Sequence, residues 1–123
     1  MILVVDDDSS VRATIARALA ALGYAVRDAA DGMRALEIVR EEALSLVILD
    51  YIMPGMDGAE VARRIGEIDP DLPIVFSTGH AALRTLRAAA GEDIEVLEKP
   101  FTLDELDALL RERLAARRRA RIA

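Results

Sequence analysis

Three aspartates stand directly after two short apolar runs, and together they could hold a divalent cation. Asp6 and Asp7 follow the run Ile2–Val5, and Asp50 follows the run Leu46–Leu49. If both runs are parallel strands, their carboxyl ends lie at one edge of the sheet and bring the three carboxylates together. A strongly negative cluster of oxygen ligands suits Mg²⁺ or Mn²⁺ and does not suit zinc or copper. The spacing therefore predicts a magnesium site.

A hydroxyl and an ammonium group follow two later apolar runs. Thr78 and Gly79 come after the run Ile74–Phe76, and Lys99 comes shortly after Ile94–Leu97. A phosphoryl group beside a cation needs a hydrogen-bond donor, a close approach of the backbone and a point charge, and these residues supply all three. Each residue alone has an ordinary explanation as a cap, a turn residue or a surface lysine. Together with the three aspartates, these residues stand at the ends of four predicted strands, and this joint occurrence predicts phosphoryl chemistry.

The elements that must position these side chains alternate regularly. Short apolar runs rich in Val and Ile alternate with segments in which apolar residues recur at helical spacing. Parallel strands need crossover connections, and helical crossovers cover both faces of the sheet. The sequence therefore predicts a three-layer α/β fold around a parallel sheet. The predicted strands are Ile2–Val5, Tyr24–Val26, Leu46–Leu49, Ile74–Phe76 and Ile94–Leu97.

Polar residues mark where the helices begin. Ser9 or Ser10 is the predicted N-cap of the first helix, with Asp8 as a further candidate. Thr102 with Glu105 three residues later is typical of a capping box and predicts the start of the last helix.

Length and composition narrow the function classes. The chain has 123 residues, no cysteine and one histidine, His80, so disulfide frameworks, thiolate zinc sites and cysteine nucleophiles are excluded. We interpret His80 as an exposed loop residue. No apolar run is long enough for a membrane span or a signal peptide, which predicts a cytoplasmic protein without membrane contact.

Charge divides the chain into two parts. Residues 1–110 carry 10 basic and 21 acidic side chains, whereas residues 111–123 carry six arginines and one glutamate. The acidic body and the scarcity of aromatic residues argue against direct nucleic-acid binding. We expect one domain over residues 1–115, followed by an Arg-rich helix end or connector at 116–123.

Four segments taken together resemble the response-regulator receiver domain of two-component signalling. They appear in order and at suitable spacing over nearly the whole chain. The resemblance implies a flavodoxin-like (βα)5 fold with strand order 2-1-3-4-5. The segments are Val4–Asp8, Asp50–Gly58, Ser77–His80 and Lys99–Phe101.

The resemblance also implies a metal-assisted phosphoacceptor. Asp50 would accept the phosphoryl group, and Asp6 and Asp7 would hold Mg²⁺ together with Asp50. The backbone carbonyl of Ile52 would be a further metal ligand, and Mn²⁺ could substitute for Mg²⁺. The receiver would then catalyse its own Mg²⁺-dependent phosphorylation and dephosphorylation.

The remaining implied roles concern the switch and the partners. Thr78 would be the switch hydroxyl and Lys99 the phosphate-binding lysine. The phosphoryl donor would be a histidine kinase or a histidine phosphotransferase, and the chain would act as a switch or a phosphorelay intermediate. One position departs from the family pattern: Val96 stands three residues before Lys99, where many members carry Tyr or Phe.

Other functions and states stay open at this stage. A haloacid-dehalogenase-like phosphatase would use Asp6 and Asp8 as nucleophile and acid. A flavodoxin-like cofactor binder and a binding module that works without phosphorylation are further alternatives. The receiver could stand alone or belong to a larger protein such as a hybrid histidine kinase with a covalently linked kinase or output domain. It could also form a homodimer.

Overall fold

Five parallel strands form the centre of the computed structural model, which describes the backbone of residues 1–122 and the side chains of residues 1–119. Their order is β2-β1-β3-β4-β5, which confirms the predicted topology. The strands are β1 Ile2–Val5, β2 Val26–Ala29, β3 Leu46–Asp50, β4 Ile74–Gly79 and β5 Glu95–Lys99. The helices are α1 Ser9–Ala21, α2 Gly32–Glu41, α3 Gly58–Ile68, α4 Leu83–Ala90 and α5 Leu103–Ile122, with a 3-10 turn at His80–Ala82 before α4.

Alternate residues of the central strands face opposite sides of the sheet. In β3, Val47 and Leu49 pack with α2, α3 and α4, whereas Leu46 and Ile48 pack with α1 and α5. Strands buried on both faces are continuous apolar runs because neither face meets solvent. The alternation continues to Asp50, which therefore lies on the face covered by α1 and α5.

The second strand begins later than the sequence suggested. The predicted run Tyr24–Val26 is wrong at both ends, since β2 is Val26–Ala29. The amide of Tyr24 donates to the carbonyl of Leu19, so Tyr24 still belongs to the turn that ends α1. β2 lies at the edge of the sheet, where polar residues are tolerated and the apolar pattern is weak.

Side chains cap the first and last helices. Asp8, and neither Ser9 nor Ser10, is the N-cap of α1, and its Oδ1 accepts from the amides of Ser10 and Val11 at 2.9 and 3.1 Å. Together these bonds fix the direction in which α1 leaves the carboxyl end of β1.

The capping box predicted for the last helix is present. Thr102 Oγ1 accepts from the amide of Glu105 at 3.1 Å, and Glu105 Oε1 accepts from the amide of Thr102 at 3.3 Å. α5 then continues through the Arg-rich segment to Ile122. The side chains of residues 120–123, Arg121 among them, lie outside the described residues. In the described part of the chain, no helix has the length and apolar character of a membrane span.

Candidate functional site

The three predicted metal-binding aspartates lie together at the carboxyl ends of β1 and β3. Val5 pairs with Leu49, so Asp6 and Asp50 are the next residues along two neighbouring strands. Asp6, Asp7 and Asp50 each place a carboxylate oxygen within 4.8 Å of the others. Asp6 is 2% exposed and Asp50 is 7% exposed, whereas Asp7 faces solvent. The cluster is thus buried on one side and open to a ligand on the other.

Lys99 lies against two of these carboxylates. Its Nζ is 3.1 Å from Asp6 Oδ2 and 3.5 Å from Asp50 Oδ1. β5 is separated from β3 by β4, so the long lysine side chain spans the end of the intervening strand. A single ammonium between two buried carboxylates compensates part of their charge, since unpaired buried charges are costly.

Burial changes the acidity of Asp50. Desolvation raises its pKa from the ordinary 3.8 to about 6; the charge of Lys99 acts in the opposite direction, and that of Asp6 adds to the increase. Removing a carboxylate from water disfavours its ionised form. Without a cation beyond Lys99, Asp50 is therefore held ionised at neutral pH at a cost in stability.

This cost leads to a first prediction: Asp50→Asn stabilises the metal-free protein at neutral pH. In the folded state Asp50 keeps its proton up to about pH 6, whereas in the unfolded chain it loses it near 3.8. Between these values the folded state binds more protons, so the contribution of Asp50 to stability falls as pH rises and is lowest above pH 6. An asparagine side chain does not titrate, so its contribution to stability does not change with pH. We expect Asp50→Asn to raise the free energy of unfolding by on the order of 2 kcal/mol at neutral pH.

Thermal or urea unfolding of both proteins in a metal chelator, from pH 4 to 8, measures this effect. The stability difference between Asp50→Asn and the wild type should grow with pH and level off above about pH 7. A difference that is constant over the whole pH range would contradict the elevated pKa of Asp50.

The predicted switch residue, Thr78, lies one residue beyond the point where β4 pairs with Asp50. Thr78 is buried near the end of β4, and its neighbour Ser77 pairs with Asp50 across the sheet. In the described part of the chain, no hydrogen bond joins Thr78 to Asp50 or Lys99. Thr78 is therefore close to the strand ends without being part of the ion-pair network.

The loop after β3 brings the backbone of Gly58 close to the backbone of Asp50 and Tyr51. Ile52 is exposed in this loop, two residues after Asp50, and the role of its carbonyl as a metal ligand stays a prediction. The amide of Gly58 donates to the carbonyl of Tyr51 at 2.8 Å. A Cβ at Gly58 would clash with the Asp50 carbonyl oxygen and come within 2.8 Å of Tyr51 Cα.

We accordingly predict that Gly58→Ala destabilises the protein by about 3 kcal/mol, because the atoms in conflict are backbone and cannot move aside cheaply. Gly66 offers a matched control on the same helix, since a Cβ there meets nothing within 4 Å. Gly66→Ala should leave stability unchanged or raise it by about 0.5 to 1 kcal/mol. Urea unfolding measures both variants, and equal stabilities would contradict the packing argument.

His80 lies outside the cluster. Its side chain is 90% exposed, and its Nδ1 is 2.7 Å from Glu98 Oε1. The prediction that His80 is exposed is confirmed, but the residue begins the 3-10 turn His80–Ala82 and does not lie in a loop.

Sequence reasoning missed one residue at the site, Arg12 on α1. Its Nη1 donates to the backbone carbonyl of Asp6 at 2.8 Å, and its Nε pairs with Asp28 at 2.9 Å. Arg12 lies four residues after the helix cap Asp8, which places it back over the end of β1. That spacing was the only available signal.

The donor set fits a hard divalent cation. Three carboxylates lie within reach of one ion, one of them open to solvent, and carboxylate oxygens are the ligands that Mg²⁺ takes in proteins. In doubly wound sheets, ligands bind where neighbouring connections leave toward opposite faces, and the pair β1 and β3 is such a point. The fold and site together define a doubly wound α/β protein with a cluster of three aspartates at its switch point.

Comparison with known proteins places this chain in a family. Residues 2–111 match the response regulator receiver domain, and the chain belongs to that family. It is 45% identical over 106 residues to the response regulator receiver protein CpdR of Brucella abortus, covering 85% of this chain and 88% of that protein. It is 42% identical over 112 residues to the response regulator MprA of Mycobacterium sp. (strain KMS), covering 89% of this chain but only 48% of MprA.

Solved structures agree with this assignment. The receiver domain of NtrX from Brucella abortus has a TM-score of 0.84 at 31% identity, covering 94% of this chain and 98% of that one. A CheY-like receiver domain protein from Methanospirillum hungatei has a TM-score of 0.86 at 27% identity, covering 97% and 96%. This chain is therefore a receiver domain of two-component signalling.

Proposed function

We propose that Asp50 is the phosphoacceptor of this receiver domain and that its phosphorylation depends on Mg²⁺. The donor is the phosphohistidine of a histidine kinase or a histidine phosphotransferase, and the product serves as a signalling switch or a phosphorelay intermediate. One observation carries the proposal. Asp50 is a buried carboxylate in a cluster open to solvent, with the ammonium of Lys99 at 3.5 Å.

The chemistry is a phosphoryl transfer between two side chains. An oxygen of ionised Asp50 attacks phosphorus, the bond from phosphorus to the imidazole nitrogen breaks, and an acyl phosphate forms as the imidazole leaves. The protein contributes geometry and charge compensation. Lys99 lies where it can balance charge on the phosphoryl oxygens, since its Nζ already faces Asp50. The pKa of Asp50 is raised to about 6 but stays below neutral pH, so the nucleophile is mostly ionised there.

Asp6, Asp7, Asp50 and the Ile52 carbonyl would hold the metal ion. Bound Mg²⁺ supplies positive charge that stabilises the negative oxygens of the phosphoryl group, and Mn²⁺ has the ligand preferences to replace it. Asp6 is already oriented for this role, because its Oδ1 accepts from the amide of Asp8 at 2.9 Å.

Asp8 argues against the phosphatase alternative. In that mechanism Asp8 would be the general acid beside the nucleophile Asp6. Here Asp8 Oδ1 accepts from two amides of α1 as its N-cap. The two bonds tie the Asp8 side chain to α1 as its cap, whereas a general acid must be free to face the leaving group. The receiver chemistry at Asp50 makes no such demand on Asp8.

Binding of beryllofluoride, which mimics a phosphoryl group on a carboxylate, tests the proposal. We expect ¹⁹F NMR signals of a bound complex in the wild type with Mg²⁺, and no bound signal when Mg²⁺ is withheld or when Asp50 is replaced by Asn. A bound complex that persists in Asp50→Asn, or no complex in the wild type, would contradict it.

The proposed switch includes Thr78, whose hydroxyl would turn inward and bond a phosphoryl oxygen. This movement would shift the loop after β4 and helix α4. Val96 pairs with Phe76 in the adjacent strand and offers no aromatic side chain to move with Thr78. We therefore predict a muted response on this face.

Amide hydrogen exchange with and without beryllofluoride measures this response. Residues 81–98 should show little change in the wild type, since the coupling side chain is absent. Val96→Tyr is the matched variant and should enlarge the change. A large change across residues 81–98 in the wild type would count against the prediction.

The proposal extends to the cellular setting. The domain would work in the cytoplasm, either alone or joined to a kinase or output domain. MprA is an example of a longer relative, since the match with this chain covers only 48% of it. The proposal involves no direct contact with nucleic acid or a membrane.

A further inference from the structure

Arg12 ties together three elements at the edge of the acidic cluster. It belongs to α1, its Nη1 donates to the carbonyl of Asp6 after β1, and its Nε pairs with Asp28 in β2. The Arg12 side chain is 18% exposed, whereas Asp28 is 56% exposed. Asp28 thus holds the guanidinium from the solvent side, while Nη1 reaches the backbone at Asp6.

The turn that carries Asp6 and Asp7 is held at both ends by other bonds. Asp6 Oδ1 accepts from the amide of Asp8, and the carbonyl of Asp8 accepts from the amide of Arg12 at 2.9 Å. The carbonyl of the peptide between Asp6 and Asp7 accepts a hydrogen bond from Arg12 Nη1. The orientation of that peptide sets the direction in which the exposed Asp7 side chain leaves the turn.

We propose that Arg12 is a positioning residue of the cation site, acting through the peptide between Asp6 and Asp7. The inference rests on the proposed function, since it assigns the aspartates to Mg²⁺. Arg12 contributes no ligand atom. It holds the backbone so that the carboxylates of Asp6 and Asp7 converge on one ion together with Asp50, and groups that orient metal ligands strongly influence metal affinity.

Positioning and simple electrostatics predict opposite effects. A guanidinium close to a cation site repels Mg²⁺, so removing its charge should tighten binding if charge were all that mattered. If Arg12 positions the turn, its loss should weaken binding despite the more favourable charge. The direction of the change in Mg²⁺ affinity therefore identifies the role.

The test is Mg²⁺ titration of the metal-free full chain by calorimetry, with thermal unfolding of each protein recorded alongside. We expect Arg12→Gln to bind Mg²⁺ about 10-fold more weakly than the wild type. Arg12→Lys should also bind more weakly, because a single ammonium cannot hold the Asp6 carbonyl and Asp28 in the fork geometry of a guanidinium. Arg17→Gln is the matched control, since Arg17 is exposed on the same helix, and it should bind as well as the wild type.

Asp28→Asn provides a second variant that keeps the charge of Arg12 and changes an exposed side chain. It should weaken Mg²⁺ binding in the same direction but less than Arg12→Gln. If Arg12→Gln binds Mg²⁺ as tightly as the wild type or more tightly, even with a lower melting temperature, Arg12 acts only on stability or through its charge. That result would overturn the inference. If the wild type itself binds no Mg²⁺, the proposed Mg²⁺-dependent function fails, and the role of Arg12 fails with it.

Discussion

Asp50→Asn is expected to take up no phosphoryl group under conditions in which the wild type takes up one. Asn keeps the shape of the side chain but lacks the ionised oxygen that attacks phosphorus. Asp6 and Asp7 do not replace it, since Asp6 is 2% exposed and bound to Lys99 and Asp8, and Asp7 is assigned to the metal. Intact mass after incubation with acetyl phosphate and Mg²⁺ measures the uptake.

Asp57→Asn is the matched control for this substitution. Asp57 lies in the same loop, is exposed, and caps α3 by accepting from the amide of Glu60 at 3.0 Å. Asn caps helices as well as Asp does, so the fold should persist. Asp57→Asn should gain one phosphoryl group as the wild type does. If phosphoryl uptake survives in Asp50→Asn and is lost in Asp57→Asn, the acceptor is Asp57 and not Asp50.

Lys99→Gln is expected to slow phosphorylation by about 100-fold, the usual loss when one group that stabilises charge in the transition state is removed. Mg²⁺ binding should be retained or tightened, because Lys99 Nζ lies 3.1 Å from Asp6 and 3.5 Å from Asp50, where it repels a cation. The expected pattern is thus slow chemistry with an intact metal site.

Initial rates of phosphorylation at saturating Mg²⁺, together with Mg²⁺ titrations, separate these two effects. Arg111→Gln removes an equal charge from an exposed pair with Asp107 on α5 and should leave the rate unchanged. A rate in Lys99→Gln equal to that of the wild type would show that Lys99 serves only to neutralise the buried acids in the metal-free protein.

The residue pattern predicted the central strands and the three-layer α/β class, because each central strand is a continuous apolar run followed by a polar residue. The strand order was implied by the resemblance to the receiver domain. The prediction failed at the second strand, where Arg27 and Asp28 at the sheet edge break the apolar pattern and Tyr24 completes the turn after α1. Edge strands need less burial, so their bounds leave a weak signal.

In the site, too, some residues could be predicted from the sequence and others could not. Asp6, Asp50 and Lys99 could be predicted because each stands at the carboxyl end of an apolar run and the fold brings these ends together. Arg12 could not, since an arginine on a helix is ordinary and its role depends on Asp28, a side chain on a different strand. The elevated pKa of Asp50 was also out of reach, because it follows from burial and not from residue type.

Locating the acyl phosphate tests most directly whether Asp50 is the phosphoacceptor. Borohydride reduces an acyl phosphate to a primary alcohol, which converts a phosphorylated aspartate into homoserine. Trypsin then separates the candidates, since Asp50 falls in the peptide of residues 41–63 and Asp6 in that of residues 1–12. After incubation with phosphoramidate or acetyl phosphate and Mg²⁺, we expect homoserine at position 50 and none when Mg²⁺ is chelated. Homoserine at position 6, or none in the protein with Mg²⁺, would show that Asp50 is not a Mg²⁺-dependent phosphoacceptor.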